Sequence, residues 1–296
     1  MSGRLVVREL RSPEEFIETT HVSKAAWGFA ERSVSPASDL VAATHAGGLT
    51  AAAFEGKKML GFVHGIPRTN LSEPCQHSHL LAVRPDAQGR GLGVKLKLFQ
   101  RAWCLERGIR LVTWTYDPFL LKNAKLNIER LRATVRSLLP DFYGHMGGIY
   151  AGLPTDRFEV DWRLDDPLVE RAAQGERPPP DSTAGVPAVT RPGRIPIAPR
   201  VLLPFLADAP RVYRTDPKRS LAARTRFRRL AMALFAVGYA VTGVAIRDGE
   251  PAYVLEKTAF RLSRALLSAF PPGSARRAGR SARRGVRRER PRAGVT

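Results

Sequence analysis

Gln88-Gly89-Arg90-Gly91-Leu92-Gly93 is the stretch of this chain best equipped for chemistry. It follows an apolar run, Leu80-Leu81-Ala82-Val83, and opens a helical pattern that lasts to Arg107 and stops at Gly108. A strand feeding a glycine-rich turn that starts a helix makes an anion site. The first N–H groups of a helix lack intrahelical acceptors, and the peptide dipoles add positive potential there. Gly91 and Gly93 let the backbone approach a bulky phosphate, and Arg90 adds a formal charge. The loop lacks the Lys-Ser/Thr pair of a P-loop and the G-x-G-x-x-G order of a dinucleotide site. His77 and His79 share one face of the preceding strand and offer a general base, with Glu73 as a further candidate. No third ligand accompanies the two histidines, so no metal is expected. No Ser/His/Asp or Cys/His constellation stands out by spacing.

The elements that must position these groups are legible from start and stop signals. Leu5-Val6-Val7 opens a strand, and Ser12-Pro13-Glu14-Glu15 reads as N-cap, N1 and N3 of a helix that stops at Gly28. Ser35-Pro36 opens a second helix, ended by Gly47-Gly48. Strands over 49–54 and 59–66 flank the hairpin signal Glu55-Gly56-Lys57-Lys58, and Gly61 marks a bulge or close packing. A central strand spans 77–83, and its last four residues are apolar on both faces. Leu92, Leu96, Phe99 and Trp103 then recur at helical spacing, with Lys95, Lys97, Arg101 and Glu106 among the polar positions. A strand over 110–116 ends at Asp117-Pro118, a helix is expected over 122–139, and one or two closing strands over 150–164.

Gln88, Gly91 and Gly93 fall in register with Q/R-x-x-G-x-G/A, and the loop with its apolar strand resembles motif A of the GNAT (GCN5-related) N-acetyltransferase superfamily. The order of elements over 1–165 is similar to that family's fold. The resemblance implies an α/β (α+β) acyl-CoA N-acyltransferase fold, a mixed central sheet flanked by helices. It further implies a cleft where the strands over 77–83 and 110–116 splay apart. Acetyl-CoA would be the cosubstrate, attacked directly by an amine. Amides of Gly89, Arg90, Gly91, Leu92, Gly93 and Val94 would hold its pyrophosphate beside Gln88. Leu81, Ala82 and Val83 would pair with the pantetheine arm, and the Val83 N–H would polarise the thioester carbonyl. Asn123 and Asn127, one turn apart, would order pantetheine or water. The family's Y-E-x-x-G-F-like segment aligns with Glu129-Arg130-Leu131-Arg132-Ala133 and puts Ile128, which has no proton to give, at the Tyr position. Tyr143 is the candidate substitute acid, and His79 the candidate base alongside His77.

The rest of the chain extends this plan. Residues 166–199 are proline-rich and read as a linker, and 200–258 as a C-terminal α/β extension with a helix from about Asp216 to Val237 and strands at 239–246 and 252–255. Asn123-Ala124, Asn127, Leu131, Tyr143-Gly144 and Gly238-Tyr239-Ala240-Val241-Thr242-Gly243 resemble a little-characterised GNAT branch with such an extension. Leu230 to Ile246 lacks charge, but it is short for a bilayer span and is broken by Gly238 and Gly243, so no membrane span is expected. The tail, 259–296, has the composition of a disordered segment. Its last 26 residues hold nine Arg and one Glu, leaving +13 of the net +21 to the remainder. A basic body suits a polyphosphate ligand such as coenzyme A, and equally nucleic acid, the rival partner. A CoA-binding protein without transferase chemistry is the other alternative. Two distant cysteines and no apolar leader fit a cytoplasmic protein. Acceptor and oligomeric state are not encoded in any pattern found.

Overall fold

Capping chemistry sets the first helix as the sequence requires. In the computed structural model, which describes residues 4–28, 33–147, 150–177 and 182–258, the Ser12 hydroxyl accepts from the Glu15 N–H. Pro13 takes the first turn of α1 (Pro13–Trp27), and Gly28 closes it at φ +64°. β1 (Leu5–Glu9) precedes it and α2 (Ala37–His45) follows. The hairpin signal joins β2 (Leu49–Glu55) to β3 (Lys58–Arg68), and Gly61 lies beside a register shift where any Cβ would meet the Ala82 carbonyl oxygen at 2.6 Å. β4 (Cys75–Val83) leads through a short 3₁₀ turn, Pro85–Ala87, into the glycine loop and α3 (Leu92–Glu106). β5 (Leu111–Tyr116) and α4 (Leu121–Ala124) come next.

The helix expected over 122–139 is shorter than the sequence suggests. α4 continues as a π-helical turn over Lys125–Arg130, and Arg132 then takes φ +56°, which stops it. Thr134–Leu139 is instead a strand, β6. Val135 and Leu138 are buried there while Thr134, Arg136 and Ser137 are less so, a β-branched pattern that tertiary pairing resolves in favour of the sheet. The closing strands reduce to one, β7 (Arg157–Arg163). Within the proline-rich region Asp166 caps α5 (Pro167–Ala173), and Val189 is buried beside an Ala188–Leu202 bridge. β8 (Arg200–Pro204), α6 (Ala209–Thr215), α7 (Pro217–Ala236), β9 (Tyr239–Arg247) and β10 (Glu250–Lys257) complete the described chain. The expected disorder of 259–296 concerns residues outside those described.

Among the described residues ten strands form one sheet in the order β1-β2-β3-β4-β5-β7-β6-β9-β10-β8. Only β4 and β5 run parallel to each other. α3 and α7 cover one face over a continuous apolar layer that includes Leu96, Trp103, Trp114, Phe158, Trp162, Phe227 and Tyr253. α1 and α2 cover the other face near β2 to β4, through Phe16, Val22, Leu40 and Phe62. No helix among the described residues is long and apolar enough to cross a membrane.

Candidate active site

The pairing of β4 with β5 stops almost as soon as it starts. Cys75, Gln76 and His77 pair with Leu111, Val112 and Thr113, and beyond them the two strands continue to Val83 and Tyr116 without pairing to each other. A fork opens there. On its β4 side the phase of the ladder decides which backbone groups are free. Arg84 N–H donates to the Leu60 carbonyl, so Arg84, Ala82 and Leu80 form the hydrogen-bonded pairs with β3. Ala82 is therefore committed to β3, and the N–H groups of Leu81 and Val83 point away from it, into the fork. The Val83 carbonyl accepts from Gln88 Nε2 at 3.2 Å.

A β-bulge reinforces the opening. His64 pairs with Leu80 but Gly65 pairs with Ser78, leaving His79 as the extra residue in β4. His79 is exposed, and its ring lies 6.3 Å from that of His77 and 6.5 Å from that of His64, centre to centre. Burial pushes His64 and His77 down to about 4 and lowers His79 as well, so all three imidazoles are neutral at pH 7. Among the described residues no cluster of three or more His, Cys, Asp or Glu has the arrangement of a metal site.

At the mouth of the fork the glycine loop is open. Gly89 and Gly91 take φ +81° and +73°, and a Cβ at either would meet nothing within 4 Å. Gly91 caps α3 without a side-chain hydrogen bond, and the first bond of the helix runs from Lys95 N–H to the Gly91 carbonyl. Among the described residues, the N–H groups of Leu92, Gly93 and Val94 thus have no acceptor. Gln88 also accepts from Lys122 Nζ of α4 at 2.6 Å, tying the two sides of the opening together. Arg90 pairs with Glu55 at 2.6 Å. Leu126 of the π-helical turn would lie 3.6 Å from a Cβ at Gly93. Asn127 is buried and its carbonyl accepts from Ala133 N–H, whereas Asn123 is half-buried.

The face of β5 opposite α3 brings the polar candidates together. His77 Nδ1 lies 3.4 Å from Thr113 Oγ1, and the Tyr143 hydroxyl lies 3.3 Å from Thr115 Oγ1, two residues along the same face. Tyr143 sits in the β6–β7 connection and is 40% exposed, open to a ligand. Ile128 is fully buried and its side chain carries no proton to give. Glu73 is held by Arg163 through two bonds of 2.6 Å. The sequence reading missed Glu159 and Asp161 on β7. Glu159 accepts from Arg68 at 2.9 Å and Ser137 at 3.1 Å. Burial, then the neighbouring Glu159, raise the Asp161 carboxyl above its usual range. The period-two pattern Arg157-Glu159-Asp161-Arg163 was the available signal, since it marks one polar strand face.

Arg132 supplies a check on the alignment of the α4 segment. It stands where the family's Y-E-x-x-G-F-like segment has Gly, and its φ of +56° lies in the region that favours Gly.

The sequence matches the acetyltransferase (GNAT) family over residues 7–125. No curated protein matches it. Among solved structures it is similar to the ribosomal-protein-S18-alanine N-acetyltransferase of Escherichia coli, with 15% identity, 55% of this chain and 96% of that one covered, and a TM-score of 0.46. It is likewise similar to Arabidopsis thaliana Naa50 in complex with a bisubstrate analogue, at 11% identity, 53% and 97% coverage and a TM-score of 0.44. An aminoglycoside 6'-N-acetyltransferase complexed with coenzyme A gives 11%, 54% and 98%, and 0.41. The matched residues run from β1 to the end of α4 and include the fork and the glycine loop; the chain carries a domain of the GNAT acetyltransferase family.

Proposed function

We propose that the chain is an acetyl-CoA-dependent N-acyltransferase. The observation that carries this is the fork: two parallel strands that part after three residue pairs, with an open glycine loop and free helix amides at the mouth. The amides of Leu92, Gly93 and Val94 suit the pyrophosphate, with Gln88, Gly89, Arg90 and Gly91 around it. The arm of the cofactor would lie along β4 and use the free N–H groups of Leu81 and Val83, with its thioester end reaching beyond them toward the apex. Asn123 and Asn127 would border the arm from the α4 side.

The amine would approach on the face that carries His77, His79, Thr115 and Tyr143. Glu159 and Asp161 give this face carboxylates that attract a cationic acceptor. His79, neutral at pH 7, takes the proton from the attacking nitrogen, and Tyr143 orients the acceptor. The amine attacks the carbonyl carbon directly, with no covalent enzyme intermediate.

The test is thiol release from acetyl-CoA across a panel of amines, together with thermal unfolding in the presence of coenzyme A. Coenzyme A should raise the melting temperature, and Gly91→Glu should remove that shift by placing a carboxylate at the phosphate site. No shift at millimolar coenzyme A would sink the reading. A shift without thiol release from any amine would favour a CoA-binding protein that lacks transferase chemistry, the reading that Ile128 invites.

A further inference from the structure

Among the described residues, Lys97 is the one buried lysine. Its place on α3 reads as a polar surface position in the sequence, yet the residue is 2% exposed. The ammonium donates to Ser78 Oγ and to Gln100 Oε1, both at 2.9 Å, and lies 3.7 Å from the centre of the Trp114 ring and 5.4 Å from that of Trp162. No carboxylate lies within 4 Å among the described residues. A buried cation held by two neutral oxygens and two aromatic faces is costly, and an apolar side chain would fill the space at less expense.

Its location gives the charge a use. Ser78 is the first β4 residue after the last β4–β5 pair, and Trp114 is the first on β5. Nζ bridges these two residues and so lies under the apex of the fork, on the α3 side. The apex is where an arm that enters at the glycine loop and runs down β4 must end. We propose that Lys97 is the proton donor to the leaving thiolate, a role that rests on the acyl-CoA reading above. The amine nitrogen forms its bond to the carbonyl carbon, the C–S bond breaks, and sulfur leaves with the electron pair. Lys97 gives sulfur one proton and becomes a neutral amine. The nitrogen of the new amide loses one proton toward His79 and solvent, and water reprotonates Lys97 once the products depart. This supplies the acid that Ile128 cannot.

The neighbours of Nζ are consistent with a proton that moves. Burial pulls the ammonium down to about 7, so both forms are accessible near neutrality. Cys104 on α3 and His77 on β4 are the titratable groups that sense it, and burial holds both of them neutral, the thiol near 12 and the imidazole near 4.

The test needs no acceptor. The thiol of coenzyme A is titrated by its ultraviolet thiolate absorbance, free and bound to the full chain. The thiol should ionise at least one pH unit lower when bound, because it shares its proton with Lys97. Lys97→Met should abolish that shift while binding coenzyme A within about threefold of wild type and unfolding at the same or a higher temperature. With an amine substrate in hand, kcat should fall about 100-fold in Lys97→Met with KM within about threefold. An unshifted thiol in the wild-type complex overturns the proposal, and so does an equal shift in Lys97→Met. The wild-type titration decides even if the variant does not fold. Coenzyme A that fails to bind at all overturns the acyl-CoA reading itself, an outcome distinct from binding without a shift.

Discussion

Arg224→Met tests how the C-terminal extension is built into the acetyltransferase domain. Arg224 of α7 and Asp117, which ends β5, are 1% or less exposed. Arg224 Nη2 donates to Asp117 Oδ2 at 2.7 Å, and its guanidinium lies 4.5 Å from the centre of the Phe119 ring. Removing the cation leaves Asp117 with the Phe119 N–H at 2.9 Å and Arg157 Nη1 at 3.9 Å. Breaking a buried ion pair from one side costs ~3–5 kcal/mol, and these two remaining partners place the loss near ~3 kcal/mol. For a domain of this size, that lowers the melting temperature by about 10 °C. Urea unfolding of the full chain measures it, with an unchanged m-value as the control. Asp117→Asn combined with Arg224→Met should recover roughly 1 kcal/mol or more, since the stranded charge is then gone. A loss under about 1 kcal/mol for Arg224→Met, or strictly additive effects in the double variant, would refute the reasoning.

Three further perturbations have defined outcomes. Gly91→Glu should destabilise by only about 1 kcal/mol, the cost of a side chain at φ +73° in open space, and should abolish binding of coenzyme A in calorimetry. Arg132→Gly should raise stability by about 1 kcal/mol in urea, because Arg132 sits at φ +56°. Stability should also fall with acid between pH 6.5 and 4. His64 and His77 are held near 4 by burial, so in this window the unfolded chain binds protons that the folded chain refuses. Each contributes up to about 3 kcal/mol, present in full above pH 6.5. His64→Gln should flatten the slope of unfolding free energy against pH measured at pH 7 and pH 4.5.

Backbone-driven features of the site were legible in the sequence, and side-chain features much less so. Gln88 to Gly93 announced the loop because glycine at positive φ is a local requirement. Ser12 and Gly28 announced the ends of α1 for the same reason, since caps act over a few residues. The fork left no trace of its own in the sequence, because whether two strands pair or part depends on residues far away in the chain. Lys97 was misread because helical periodicity treats lysine as polar surface, and nothing local shows that Trp114 and Trp162 will close over it. β6 was taken for helix because Lys122 to Leu139 has no Gly or Pro to interrupt it, while the break at Arg132 requires a left-handed residue that is rarely Arg.

The fork stays open because its two arms belong to different halves of the sheet. β4 is paired along its length with β3, under α1 and α2. β5 is paired over all six of its residues with β7, which pairs with β6. β6 touches β9 of the extension through Val135 and Val241. Only three residue pairs join the halves, and the bulge at His79 shifts the phase of β4 just beyond them. The extension then holds the far end of β5 directly. Arg224 binds Asp117, the Tyr253 hydroxyl donates to the Pro118 carbonyl at 2.7 Å, and Asp208 N–H donates to the Phe119 carbonyl at 2.8 Å. That turn leads into α4, whose Lys122 reaches Gln88 of the glycine loop. A chain of specific contacts therefore runs from α7 and β10 to the mouth of the cleft. The extension sets the position of one wall of the proposed acyl-CoA site.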